Sequence, residues 1–219
     1  MKNKFKDNKI IIITFIILYF LLGPLGLPSN ENFTAFKEIM FGYYVIGILF
    51  IILVIIFNAK TLKEDLVDYF SNFKHSIWQT LKYLFLSLII YSLFRGLASF
   101  LIEMDPSGHN LIVATFETFP LYVIFITLIY TPFVEEVILR KMIHTLVSHK
   151  YLFIFISSSI YALLHVWGDY TSVIEFITLF LPFISSGIVI AYSYYKTRNI
   201  YIPIFIHLIY NLIAFIQLL

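Results

Sequence analysis

Apolar residues run along this chain in seven blocks, at about 10–28, 40–58, 80–102, 121–146, 151–168, 173–195 and 200–219. A transmembrane helix needs roughly 20 mostly apolar residues. The pattern predicts an all-α, polytopic membrane protein with about seven transmembrane helices. Residues 111–119 (LIVATFETF), ahead of the fourth block, are read as an extra re-entrant or interfacial piece ending at Pro120. Between the second and third blocks, Leu62, Leu66, Phe70, Phe73 and Ile77 recur at helical spacing, with Lys63, Glu64, Asp65 and Asp68 between them. That spacing predicts an amphipathic helix within 59–79, lying in the membrane interface. The first block follows MKNKFKDNK and is followed by PLGLPSNE, with no small-residue cleavage site, so it reads as an uncleaved anchor. No repeat or low-complexity linker divides the chain.

Charge sets the orientation. With the N-terminus in the cytoplasm, Lys2, Lys4, Lys6, Lys9, Lys60, Lys63, Lys74, Lys82, Arg140, Lys141, Lys150, Lys196 and Arg198 lie on or near the inner side, 13 of the 15 Lys and Arg. Lys37 falls outside and Arg95 lies within the third block. This bias places the N-terminus in the cytoplasm and the C-terminus outside. Composition agrees with a chain facing lipid: 60% of the 219 residues are hydrophobic and 13% charged, whereas a soluble domain carries roughly 25% charged residues. The net charge of +2 gives no sign of a nucleic-acid partner. With no cysteine, a disulfide framework, an iron–sulfur site and a Cys nucleophile are excluded.

Against this apolar background, ionisable residues ask for a reason, since each costs about 2.5–3.5 kcal/mol near the bilayer centre on insertion scales. The fourth block holds Glu135-Glu136-Val-Ile-Leu-Arg140. Glu136 and Arg140 are spaced i, i+4 with the acid first, the favourable order for a helical ion pair, which leaves Glu135 on another face. Pro132, just upstream, cannot donate to the carbonyl of Leu128. The fifth block holds Tyr161 and, one turn on, His165; Asp169 beyond it reads as a loop residue. The seventh holds His207 and Asn211 on one face, after Pro203. Taken singly, each is a common device: snorkelling charges, a helix–helix hydrogen bond, inter-helix polar glue. His75, His144 and His149 fall at or beyond helix ends and read as solvated.

Depth joins them. Counted from the cytoplasmic ends at about 1.5 Å per residue, Glu135, His165 and His207 lie roughly 16, 21 and 11 Å up. Three helices placing Glu, His and His near one level predict a joint site, with Glu135, His165, His207 and Asn211 lining a polar cavity open to the cytoplasm or the lipid. The set lacks a nucleophile that readily forms an acyl intermediate, so water is the natural one. Glu135 is placed as general base with His165 assisting, and His207 and Asn211 as oxyanion donors. Alternatively Glu135, His165 and His207 hold a metal, zinc first, since two His and one Glu is a known catalytic zinc set. Scarce acceptors behind the imidazoles, and a Glu136 taken up by Arg140, weigh against that option.

On these residues the chain resembles the CPBP (CAAX protease and bacteriocin-processing) family of intramembrane proteases, which includes type II CAAX prenyl endopeptidases and bacterial proteins linked to bacteriocin self-immunity. The family's ordered pattern, Glu-Glu-x-x-x-Arg, Phe-x-x-x-His, His-x-x-x-Asn, is met by Glu135, Glu136 and Arg140, by Tyr161 and His165, and by His207 and Asn211. Two departures touch substrate choice: Leu139-Arg140-Lys141 stands where members often have Phe-Arg-Gly, and Tyr161 replaces Phe. The resemblance implies a catalytic core within 111–219, with residues 1–110 supplying N-terminal helices and the interfacial segment. It implies Glu136, Arg140 and Tyr161 as structural support of the site, and leaves metal use open. It implies a cell-membrane endopeptidase acting on a membrane-associated protein or peptide, without carrying over prenyl specificity. The competing function is a non-catalytic immunity or surface-protein display factor; an ion carrier would place matching polar residues in the first half as well.

Overall fold

The computed structural model describes the backbone of residues 9–22, 33–100, 107–167 and 170–217, and the side chains of 9–21, 41–100, 112–167 and 170–217. Every element among the described residues is a helix: α1 (Lys9–Leu22), α2 (Phe33–Ser71), α3 (Phe73–Ser99), α4 (Ser107–Thr118), α5 (Pro120–Leu146), α6 (Lys150–Val166), α7 (Val173–Thr197) and α8 (Tyr201–Ile216). Four are long and apolar enough to cross a membrane, within Phe41–Ser71, Phe73–Ser99, Pro120–Leu146 and Val173–Thr197. The shorter apolar helices Lys9–Leu21, Lys150–Val166 and Tyr201–Ile216 coincide with the first, fifth and seventh predicted blocks. Ile10, Leu21, Ile56, Ile89, Leu121 and Ile174 stand exposed on the outside of the bundle. An apolar exterior this extensive needs lipid to cover it, and the protein is a multi-pass membrane protein.

The interior inverts that pattern. Glu136, Arg140 and His207 are each 0% exposed. The helix carrying two of them, α5, packs against α1, α2, α6, α7 and α8, so the polar centre sits where the bundle is thickest. Helices α6 and α7 approach closely through Gly187. A Cβ there would lie 3.0 Å from Tyr161 Cδ1 and 3.1 Å from Ser158 Cβ. Gly187→Ala is therefore expected to destabilise the protein by about 1–3 kcal/mol, the usual cost of overpacking. Thermal unfolding in detergent checks this; an unchanged midpoint would show that Tyr161 yields freely.

The segment 59–79 is helical but divided: α2 continues to Ser71, the chain turns at Asn72 (φ −110°, ψ 37°) and α3 begins at Phe73. Asn72 donates to the Asp68 carboxylate at 3.0 Å, a side-chain bond that competes with helix continuation. The stripe is also aimed differently. Leu62 is buried, but Phe70 and Phe73 are 57% and 48% exposed and stack on each other at 6.1 Å. Two of the acids take partners from other helices, Asp65 pairing with Lys141 at 2.5 Å and Asp68 accepting from Asn199 at 2.8 Å, while Glu64 stays exposed beside Lys60. Residues 111–119 are helical to Thr118, as the helix α4 that ends before Pro120. Asp169 lies outside the described residues.

Candidate active site

The site begins with a local irregularity in α5. Around Pro132 the helix widens into two π-helical stretches, Phe125–Tyr130 and Val137–Met142. In the first, the Thr131 amide donates to the carbonyl of Ile126, five residues back. In that register the donor for the Thr127 carbonyl is residue 132, a proline without an N–H. Asn211 on α8 fills the gap: its Nδ2 donates to Thr127 O at 2.8 Å. In the second stretch, Ser157 of α6 donates to Leu139 O at 2.7 Å. Wide turns of this kind free carbonyls for other helices to satisfy, and here they dock α6 and α8 on either side of the glutamates.

Glu136 and Arg140 form the expected i, i+4 pair, Nε to Oε2 at 2.8 Å, fully buried. The guanidinium is held further by donation to the Ser157 carbonyl at 3.1 Å and to Ser157 Oγ, and it lies 5.2 Å from the Tyr161 ring centroid. One sequence-based expectation fails here. Glu136 is not used up by Arg140, because its Oε1 accepts from His207 Nδ1 at 2.9 Å. Nor do the imidazoles lack acceptors, since His165 Nδ1 donates to the Tyr161 carbonyl at 2.9 Å. With Nδ1 engaged, Nε2 is the nitrogen each ring has left to offer, the usual arrangement behind a catalytic or metal-binding imidazole.

Glu135 takes its own direction. Its Oε1 accepts from the Tyr19 hydroxyl at 2.9 Å, a bond spanning 116 residues. Tyr19 is 1% exposed and Glu135 4%. The buried atoms Glu135 Oε2 and His207 Nε2 have no hydrogen-bond partner among the described residues. One ligating atom each from Glu135, His165 and His207 lie within 4.8 Å of one another. Buried polar atoms are rarely left unmatched, so two such atoms beside a third fit a small polar guest: a water or a cation. Beside them is a cavity of about 550 Å³, lined by Tyr161, His165, Asn211, Thr127, Thr131 and Ser186 among others. Of the four residues predicted to line it, His165 and Asn211 do; Glu135 and His207 lie buried behind them.

Sequence reasoning missed Tyr19. It has no polar periodicity around it, and with aromatics at 19% of the chain a single tyrosine carries no mark. A hydrogen bond to a charged group is worth about 1.5–3 kcal/mol. Tyr19→Phe is accordingly expected to cost about 1.5–3 kcal/mol of stability. Thermal unfolding of the variant in detergent tests this; a wild-type midpoint would reduce Tyr19 to packing.

Comparison with known proteins points the same way. Residues 117–213 match the family described as "Type II CAAX prenyl endopeptidase Rce1-like". The chain is 26% identical over 226 residues to the Bacillus subtilis (strain 168) protein named "Putative membrane peptidase YdiL", covering 94% of this chain and 86% of that one. No solved structure matches it. Tyr19 lies outside the family match, on the stretch shared with the Bacillus protein.

Proposed function

We propose that this chain, whose residues 117–213 match the type II CAAX prenyl endopeptidase Rce1-like family, is a membrane-embedded endopeptidase. It hydrolyses a peptide bond of a membrane-associated protein or peptide with activated water. The observation carrying this reading is the pair of unpartnered buried atoms, Glu135 Oε2 and His207 Nε2, grouped with His165. Glu135 takes the proton of the water as it attacks the carbonyl, and His165 Nε2 orients that water. His207 Nε2–H and the second amide hydrogen of Asn211 stabilise the oxyanion. The proton held by Glu135 then passes to the leaving amine.

Charge balance supports these roles. Glu135, Glu136 and Arg140 are buried together. Two carboxylates and one guanidinium become neutral with one more proton, and buried charge is tolerated when it is balanced. Placed on His207, that proton would leave Glu135 a base and make Nε2 a donor, the combination the attack requires. Glu136 keeps the ring in place through Nδ1.

A zinc ion also fits the donor set. Glu135, His165 and His207 would hold it, with Glu136 and the Tyr161 carbonyl behind the imidazoles, and bound zinc would polarise the carbonyl and acidify the water. Asn211 favours the metal-free form, because a carboxamide beside His207 suits an oxyanion donor better than a zinc ligand. The expected result is full turnover in protein stripped by a chelator; stoichiometric zinc, with activity lost on stripping and restored by Zn²⁺, would overturn it.

The protease reading is tested by comparing membrane and released peptides from cells making the wild-type protein and cells making Glu135→Ala. New termini are expected only with the wild type. Identical peptide sets, together with rescue of a deletion strain by Glu135→Ala, would favour the non-catalytic immunity or display factor.

A further inference from the structure

The two poles of the bundle are chemically unlike. At one, basic residues from separate elements meet. Lys141 reaches Asp65, Arg198 lies against His144 and over Tyr195, and Lys150 sits over Tyr192 and Tyr195. His144, read from sequence as solvated, is thus half-buried in this cluster. Asn199 ties the pole to α2 through Asp65 O and Asp68 at 2.7 and 2.8 Å. Lys74 and Lys82 begin α3 and Lys196 ends α7 at the same level. Lys and Arg gather on the cytoplasmic side of membrane proteins.

The cavity beside the site lies toward the other pole. Leu88, Tyr91 and Ser92 line it from the C-terminal half of α3, Tyr161 and His165 from that of α6, and Asn211 to Phe215 from that of α8. Thr127 and Thr131 come from the N-terminal half of α5, and Phe183 and Ser186 from the middle of α7. In α5, α6 and α7 the basic residues named above occupy the opposite end, as do Lys74 and Lys82 in α3, whose Arg95 lies toward the cavity end without lining it. No Asp, Glu, Lys or Arg lines the cavity among the described residues. Its wall is apolar, with Leu88, Phe183, Ile213 and Phe215, and its polar floor is His165, Tyr161 and Asn211.

We propose that the substrate reaches the site from the extracytoplasmic half of the bilayer, through this cavity, and that the segment bound there is apolar and uncharged. The word substrate rests on the protease reading; the direction of access does not. An unpaired charge carried into a cavity without a countercharge loses its hydration for nothing, whereas apolar side chains gain by leaving water or lipid headgroups for such a wall.

The cysteine-free sequence makes the test direct. Ser92→Cys and Gln217→Cys place a lone thiol at exposed positions of the cavity, and Ser148→Cys places one at an exposed position of the basic pole. Intact cells are treated with a membrane-impermeant maleimide, with permeabilised cells as reference. At least one cavity variant is expected to label in intact cells, and Ser148→Cys only after permeabilisation; any other pattern overturns the direction of access. The second arm adds a capped, uncharged Leu/Phe-rich peptide, or the same peptide carrying lysines, to the labelling variant in a Glu135→Gln background, where peptide is bound and not consumed. The uncharged peptide is expected to slow labelling severalfold and the lysine peptide not to; equal effects, or none, overturn the stated chemistry. Labelling reads geometry without turnover, so it can fail while proteolysis stands, and proteolysis can fail while labelling holds.

Discussion

Glu135→Gln removes turnover and leaves folded protein in the membrane. Glutamine is nearly isosteric and its carbonyl oxygen still accepts from Tyr19, now bound at 2.9 Å. What is lost is the proton acceptor. General acid–base catalysis contributes about 10²–10⁴-fold, and a loss of that size is expected here. Rates in vesicles, set beside monodisperse yield and unfolding midpoint, measure both halves of the claim. Residual turnover within tenfold of wild type would show that Glu135 is not the base.

Glu136→Gln acts on the fold. Glu136 holds Arg140 at 2.8 Å and His207 at 2.9 Å, and all three are 0% exposed. Removing its charge leaves a buried guanidinium facing a neutral amide, Ser157 and the Tyr161 ring, with its countercharge gone. Breaking a buried pair from one side costs about 3–5 kcal/mol, a large share of the roughly 5–15 kcal/mol that holds an ordinary protein folded. Low folded yield is the expected outcome, with the unfolding midpoint of what survives well below that of Glu135→Gln. Equal yields from the two variants would end this division of labour between adjacent glutamates.

The helices and the local motifs were legible because their physics is short-range. Apolar blocks mark helices, and the i, i+4 spacing of Glu136 and Arg140 is enough to predict their pairing. Rise per residue placed Glu135, His165 and His207 near one depth, and their ligating atoms do lie within 4.8 Å. Reasoning from spacing went astray where a side chain had a second partner from elsewhere. Glu136 looked fully occupied until His207, 71 residues on, came to its other oxygen. Asn211 looked like a free donor, yet one of its hydrogens satisfies the Thr127 carbonyl. The acids of 59–79 carried no mark of a partner, yet Asp65 pairs with Lys141 and Asp68 accepts from Asn199.

The sequence by itself determined the solvent, the class and the inventory: a chain this apolar must face lipid, its segments must be helical to satisfy their own backbone there, and its few intramembrane charges must find one another. Tertiary structure alone decided which atoms those charges turn to the substrate. Tyr19 claims one oxygen of Glu135 from 116 residues away, Glu136 claims Nδ1 of His207, and the opposing atoms are left unmatched. The reason is geometric. Spacing along a helix fixes which face a residue occupies, but the rotation and depth of each helix against its neighbours select the hydrogen-bond partner. That selection is made by packing across the bundle, as at Gly187 and the widened turns beside Pro132.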